Sequence, residues 1–353
     1  MSHLQQAFNH KFASMAVHFG AGVVRQLPFR VDELGAKRAL VLSTPSQSDV
    51  ALRLASYLGS LAGGVYTSLS KETPDEIADD AVQHLRHTRA DCTVAIGGGS
   101  AIGLGKRVAA RTKTPQILVP TTYSGSEIVS DGAPNGQGRG SLTGGVSKIV
   151  IYDPELTLDV PLRVTVASAL GAVAHAVEAL YAPNRSPYTS MLAREGLRAF
   201  ASALPALIAD SHAESARSEA LYGAWICGTV LGQVETGLHH RLCAFLVQDF
   251  RLRHADTSAV LLPHSVACRE SDAHELLAPV REILGGGTAA GALSAFARRS
   301  QAPGSLREIG VTRGDLDLMT ERVAAPDVLS DLASTVDVRT ILQNAWAGTL
   351  ISA

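Results

Sequence analysis

The sequence predicts two domains of different class: an α/β, doubly wound domain over residues 1–159 and an all-α domain over residues 160–353. Three observations carry this reading. Short β-branched apolar runs alternate with helical patterns as far as Tyr152, as in a parallel sheet covered on both faces. Beyond Leu162 strand patterns nearly vanish and long helical ones take over. The chain has 353 residues, 46% of them hydrophobic, which suffices for two cores.

Taken in order, residues 14–18 read as a strand, Phe19 to Gly22 as a turn, and Val23 to Leu27 as the start of a short helix. Residues 38–43 are a strong strand signal, followed by the turn Thr44-Pro45-Ser46 and a helix from Asp49 to Leu61 that Gly63-Gly64 breaks. Residues 65–68 form the next strand. Thr73 is a helix cap with Pro74 at the first helical position, and the helix runs on through Ile77, Ala81, Val82 and Leu85. Residues 93–96 are a buried strand that ends in Gly97-Gly98-Gly99. Ser100 opens a helix with Ile102, Leu104, Val108 and Ala109 inward and Lys106 and Arg107 outward. Gln116 to Val119 is a strand leading into a second turn, Thr121 to Glu127. Residues 128–146 are a glycine-rich loop, and Lys148 to Tyr152 is a last strand closed by Asp153-Pro154. The domain boundary falls near Thr157–Pro161, and helices follow over 165–181, 189–207 and 213–236, then several shorter ones.

Composition excludes several classes of function. A formal charge of −2 and a pI near 6.6 give no electrostatic case for nucleic acid or a membrane surface. Four scattered cysteines without a CxxC pair point to free thiols in a reducing compartment. The N-terminus lacks a signal-peptide core and no apolar span of 18 residues is apparent, so the expected location is the cytoplasm.

The glycine turn is the main chemical signal. Three glycines between a strand and a helix let the backbone approach a ligand closely and aim free N–H groups and the positive helix end at it, which suits a pyrophosphate. The spacing is GGGS, not GxGxxG, so a plain βα turn remains the alternative. The Ser/Thr/Gly turn one strand later favours the phosphate reading, because both turns fall at the carboxyl edge of one sheet.

Of the twelve histidines, His175, His239, His240 and His254 stand out. His175 lies in a helical pattern, His239 and His240 are adjacent at the end of another, and His254 lies on a following segment. Together they suit divalent-metal ligands or an acid/base group. Each alone reads more readily as a satisfied core or surface residue. His264, after Pro263, reads as a structural helix-start residue.

Seven segments in order, VLSTPSQ (41–47), AIGGGSAIGLGK (95–106), PQILVPTTYSGSE (115–127), IVIYDPELT (149–157), AHAVEALYAP (174–183), GLHHRLC (237–243) and HADTSAVLLPH (254–264), resemble the iron-containing alcohol dehydrogenase superfamily, which has a dehydroquinate synthase-like fold. Within it the resemblance is closest to the maleylacetate reductases. The resemblance implies a dinucleotide-binding domain before an all-helical one, an active site in the cleft between them, and a homodimer. It also implies hydride transfer from NADH or NADPH; in maleylacetate reductases the substrate is an unsaturated keto-diacid that becomes 3-oxoadipate. Gly97, Gly98, Gly99 and Ser100 match the pyrophosphate turn. Thr121, Thr122 and Ser124 match the second phosphate and nicotinamide turn, and Ser43, Thr44 and Pro45 match the ribose-side turn. Thr44 is neutral where many members carry an acid, so both nucleotides fit.

The chemical residues depart from the family pattern. His175, His240 and His254 match three metal-ligand positions, but the fourth, an Asp or Asn in relatives, is Gly171. That reads as a vestigial site with no metal. Three imidazoles suit zinc better than ferrous iron. A further family histidine is Ala244, the glycines that usually follow are Val247 and Gln248, and a lysine position is Gln137, with Arg139 nearby. Tyr123 and Arg139 are the expected substrate-side residues, and His240 or His254 the expected acid, with His175 orienting. Four readings follow: a metal-independent maleylacetate reductase-like enzyme, a diverged homologue acting on another carbonyl of a biosynthetic pathway, a non-redox lyase, cyclase or isomerase on the same scaffold, and a purely structural or binding protein.

Overall fold

The computed structural model describes residues 15–68, 74–129, 148–323 and 338–350. It forms two compact units, and the chain passes from one to the other between Val160 and Pro161.

The first unit is a six-stranded sheet in which every pairing is parallel. Its strands are β1 (Ala16–Phe19), β2 (Ala39–Leu42), β3 (Ala62–Tyr66), β4 (Cys92–Gly97), β5 (Gln116–Pro120) and β6 (Lys148–Tyr152), in the order β1-β6-β5-β4-β2-β3. Helices α1 (Leu27–Glu33), α2 (Ser48–Leu58), α3 (Pro74–Thr88) and α4 (Gly99–Thr112) connect them. Every residue of β2, β4 and β5 is buried, which is why these strands read as continuous apolar runs. The winding reverses between β2 and β4: β3 lies on one side of β2, while β4, β5 and β6 step away on the other. In open α/β sheets the carboxyl ends of two such strands diverge and leave a ligand crevice.

Several local expectations are corrected. Gly63 and Gly64 do not break the helix but lie inside β3. The ladder passes from Ala39↔Ala62 to Leu40↔Gly64, so Gly63 is a bulge, and a Cβ there would meet the Ala39 carbonyl oxygen at 3.2 Å. Strand pairing thus overrides weak local propensity. α2 stops at Leu58 because Gly59 turns left-handed, with φ of 55°. Lys106 is not outward: its Nζ donates to the Ser126 and Val129 carbonyls at 2.7 and 2.6 Å. Ser14, Thr73, and Gln137 and Arg139 of the glycine-rich loop lie outside the described residues.

The second unit comprises α5 (Leu162–Tyr181), α6 (Pro187–Ala209), α7 (Glu214–Leu231), α8 (Leu238–Phe250), α9 (His254–Ala267), α10 (Ala278–Leu284), α11 (Ala289–Arg299), α12 (Arg313–Val323) and α13 (Val338–Ala347), with no strand among the described residues. α5 packs against α6, α7 and α9, and its residues from Thr165 to Leu180 are all buried. By length and composition alone its 20 residues are long and apolar enough to cross a membrane, which corrects the expectation that no such span exists. The core position of α5 accounts for that composition, since 89% of its most apolar stretch is buried in protein. α6 starts with a capping box between Ser186 and Thr189. His239 and His240 open α8 rather than end a helix, and His264 lies inside α9 rather than at its start. Proline usually marks a first turn, but nine residues are already helical before Pro263.

Candidate active site

The carboxyl ends of β2, β4 and β5 carry the nucleotide-turn residues. Ser43 Oγ donates to the Ile96 carbonyl at 2.8 Å, joining the ends of β2 and β4. Gln47 Nε2 donates to Thr121 Oγ1 at 3.0 Å, and Thr121 N–H donates to the Gly97 carbonyl at 3.0 Å. The three turns are therefore one hydrogen-bonded platform at the point where the winding reverses.

The glycines divide by role. Gly97 has φ of 143°, and a Cβ on it would lie 2.8 Å from Ala101 Cβ and 2.9 Å from Gln47 Oε1. A Cβ on Gly98 would lie 3.1 Å from Thr122 Cγ2. Packing demands glycine at 97 and leaves little room at 98. Beside Gly99 a Cβ would meet nothing within 4 Å, so its open side is free for a ligand. α4 has neither a side-chain cap nor an acidic residue in its first turn, and its leading N–H groups remain available to an anion. These features fit a dinucleotide pyrophosphate. Gly99, Ser100 and Pro45 are exposed, and Gly98, Thr44, Thr122 and Ser124 are partly so, whereas Ser43 and Thr121 are buried and serve the platform. Tyr123, expected to face substrate, is fully buried; the ring presents no surface there, which corrects that expectation.

The same turn has a buried foundation. Tyr152 donates its hydroxyl to Glu127 Oε1, and Lys148 Nζ donates to the Glu127 and Ile128 carbonyls at 3.0 and 3.1 Å. Burial raises the Glu127 carboxyl above the ordinary range, against the pull of Tyr152 and the two lysines. Gln47 and Glu127 both sit in the family-like segments, yet nothing in the sequence alone separates them from ordinary polar residues.

In the helical unit, His175 and Glu178 lie three residues apart on one face of α5. Glu178 is buried and receives three donors from the start of α8: Gly237 N–H at 3.1 Å, His239 N–H at 2.8 Å, and His240 Nδ1. A Cβ on Gly237 would lie 2.8 Å from Glu178 Oε1, so any larger residue there must push the carboxylate aside. His240 Nε2 lies 2.6 Å from His175 Nδ1, and the two rings stack with centroids 4.7 Å apart. Burial alone would raise the Glu178 carboxyl, but His240, His239 and the Gly237 amide together hold it below the usual range.

The other two histidines differ. His239 is wholly buried, with Nδ1 3.1 Å from Ser265 Oγ and Nε2 2.9 Å from Ser258 Oγ. Burial, then the like charge of His240, lowers its pKa to about 3. Neither ring nitrogen is left for chemistry, which corrects its expected catalytic place. His254 is the first residue of α9. Crowding by protein and the like charge of His240 both lower its pKa, although the residue stays open to solvent.

The donors as arranged do not fit a resident metal. Two nitrogens on one tetrahedral zinc stand about 3.4 Å apart, whereas His175 Nδ1 and His240 Nε2 are at hydrogen-bond distance. Gly171 contributes no donor, and a Cβ there would meet nothing within 4 Å. No group of three His, Cys, Asp or Glu among the described residues is disposed to hold an ion.

Comparison with known proteins agrees with the fold and the motifs. The description "Iron-containing alcohol dehydrogenase" matches residues 14–133, and "Fe-containing alcohol dehydrogenase family, C-terminal" matches residues 165–345. The chain is 44% identical to a maleylacetate reductase of Rhizobium sp. (strain MTP-10005) over 347 residues, covering 97% of this chain and 99% of the relative. It is 42% identical to a maleylacetate reductase of Burkholderia cepacia, covering 94% and 96%. The crystal structure of maleylacetate reductase from Agrobacterium tumefaciens superposes with a TM-score of 0.86 at 43% identity, covering 98% of this chain and 100% of the other. The chain belongs to the iron-containing alcohol dehydrogenase family, alongside the maleylacetate reductases.

Proposed function

We propose that this protein is an NAD(P)H-dependent reductase of maleylacetate that works without a metal ion. The observation that carries the substrate is the end-to-end likeness, 44% over 97% of the chain, to a relative named for that reaction. The likeness favours reduction over a non-redox step or another carbonyl. When bound, the nicotinamide nucleotide supplies a hydride. The leading amides of α4 hold its pyrophosphate, helped by Ser100, Thr122 and Ser124. Thr44 presents a hydroxyl, bonded to Ser46 at 3.1 Å, where a carboxylate would repel a 2′-phosphate, so NADH and NADPH both serve.

Hydride addition to the C=C of an unsaturated keto-acid leaves negative charge on the keto oxygen, and the saturated product needs one proton more. The stacked His175–His240 pair supplies the positive side for that oxyanion and the proton, with Glu178 balancing its charge. His254, its pKa lowered to about 4 by burial and the like charge of His240, stays neutral near pH 7 and accepts hydrogen bonds beside the pair. Arg139 takes a substrate carboxylate, in place of the lysine that Gln137 replaces and the histidine that Ala244 replaces. The family resemblance and the four free cysteines extend the proposal to a homodimer of the reducing cytoplasm.

The test is oxidation of NADH or NADPH by purified, chelator-treated protein with maleylacetate, followed by nicotinamide absorbance, together with elemental analysis. Turnover with less than stoichiometric metal is expected. Failure to oxidise either nucleotide defeats the reaction assignment, and one tightly held zinc or iron per chain defeats the metal-free part.

A further inference from the structure

We propose that Gln47 is a positioning residue that makes the nucleotide site favour a whole dinucleotide over its adenosine half. It reaches across the end of β4 and ties the turn after β2 to the turn after β5. The inference deepens the proposed reductase reading and rests on it for the identity of the nucleotide.

The strand order places β4 between β2 and β5, so the turns after β2 and β5 are not neighbours. Gln47 ends the short 3-10 turn Pro45–Gln47 and is half-buried. Its partner, Thr121, is 74 residues away in the chain. The Thr121 hydroxyl lies 3.0 Å from Gln47 Nε2 and 3.3 Å from Gln47 Oε1. A hydroxyl both donates and accepts, so the bond holds whichever way the amide is turned. Between the two lies Gly97, the last residue of β4. A Cβ on Gly97 would stand 2.9 Å from Gln47 Oε1, so the crossing uses space that glycine leaves open. Thr121 is a fixed anchor: it is fully buried, and its N–H donates to the Gly97 carbonyl at 3.0 Å.

The tie matters differently to ligands of different length. On the reductase reading the adenosine ribose lies at the turn after β2, the pyrophosphate at the start of α4, and the nicotinamide side at the turn after β5. AMP touches the first two turns. NADH touches all three. The two ends of NADH bind as one event only when the outer turns stand at the spacing the molecule needs. Play between them lowers the effective concentration of one end at its turn once the other is bound. A tie between the outer turns therefore strengthens the dinucleotide and is neutral for its adenosine half.

The test compares Q47L and T121V, each of which removes the bond and keeps most of the bulk, with the double variant and the wild type. Calorimetric titration gives Kd for NADH and for AMP. Kd for NADH is expected to rise about fivefold in each single variant, the loss of one hydrogen bond. The double variant is expected to show the same rise and not the product of the two, because both changes break one tie. AMP is expected to bind all of them within about twofold of the wild type, and T121S, which keeps the hydroxyl, is expected to bind both ligands like the wild type. T121V and T121S carry the comparison alone where Q47L does not fold. NADH binding unchanged in the variants overturns the inference. Equal weakening of AMP and NADH also overturns it, since Gln47 would then be a direct contact of the adenosine half, and so do effects that multiply in the double variant. Failure of the reductase reading looks different: the wild type itself then binds no NADH, and the inference falls with it.

Discussion

Replacing Gly99 by Ala separates a pyrophosphate site from a merely tight turn. Gly99 is the first residue of α4, does not have a positive φ, and has open space where the new methyl would go. The substitution therefore costs the fold nothing. It removes chain entropy from the unfolded state and stabilises by about 0.4–1 kcal/mol, which raises Tm by about 1–4 °C for a domain of this size. A bound nucleotide meets the opposite outcome. The methyl takes up the open side of the turn and displaces a phosphate from one charge-assisted hydrogen bond, worth about 1.5–3 kcal/mol. At 1.4 kcal/mol per tenfold, Kd for NADH rises about 10- to 100-fold. Fluorescence titration with NADH gives the Kd and a thermal melt gives the Tm. Gly97→Ala is the control: its Cβ would clash with Ala101 and Gln47 at a φ of 143°, so that variant loses stability itself, by about 2–5 kcal/mol. A Gly99→Ala protein that binds NADH within threefold of the wild type would refute the pyrophosphate assignment.

Three further outcomes are expected. Gly237→Ala drives a methyl against Glu178 Oε1 and pushes the carboxylate off His240, so kcat falls at least tenfold while NADH affinity holds; steady-state kinetics beside a binding titration checks this. Chelator treatment leaves the maleylacetate rate unchanged, because the facing nitrogens of His175 and His240 bond each other; a rate lost to chelation and restored by zinc or ferrous iron would overturn this. Stability falls as pH drops from about 6.5: buried His239 has its pKa lowered to about 3, so the unfolded chain binds a proton that the folded one refuses. The stabilisation is complete above the unfolded pKa and is lost as pH falls toward the folded one, at up to about 1.4 kcal/mol per pH unit. His264, lowered to about 4 by burial, adds to the slope. Denaturant melts between pH 7 and 4 should show a shallower slope in H239N, and an unchanged slope would count against the burial argument.

What local pattern encodes, the sequence determined: the parallel strands β2, β4, β5 and β6, whose buried runs are mostly apolar, the glycine turn after β4, and the family that its seven segments resemble. Element ends were less legible. Gly63 and Gly64 carry poor strand propensity, and pairing with β2 decides their place. Pro263 carries a helix-start signal that nine preceding helical residues overrule. The four histidines were visible as residues but not as a set, because a histidine's role depends on which of its nitrogens is already bonded. Only the tertiary structure decided that Ser258 and Ser265 occupy both nitrogens of His239, while Glu178 and His175 take the two of His240. It also decided that Gln47, far from Thr121 in the chain, ties two turns into one platform. Hydrophobic periodicity reports which face of an element is buried. Which donors meet which acceptors across elements depends on how those faces pack, and that is decided only when the chain is folded.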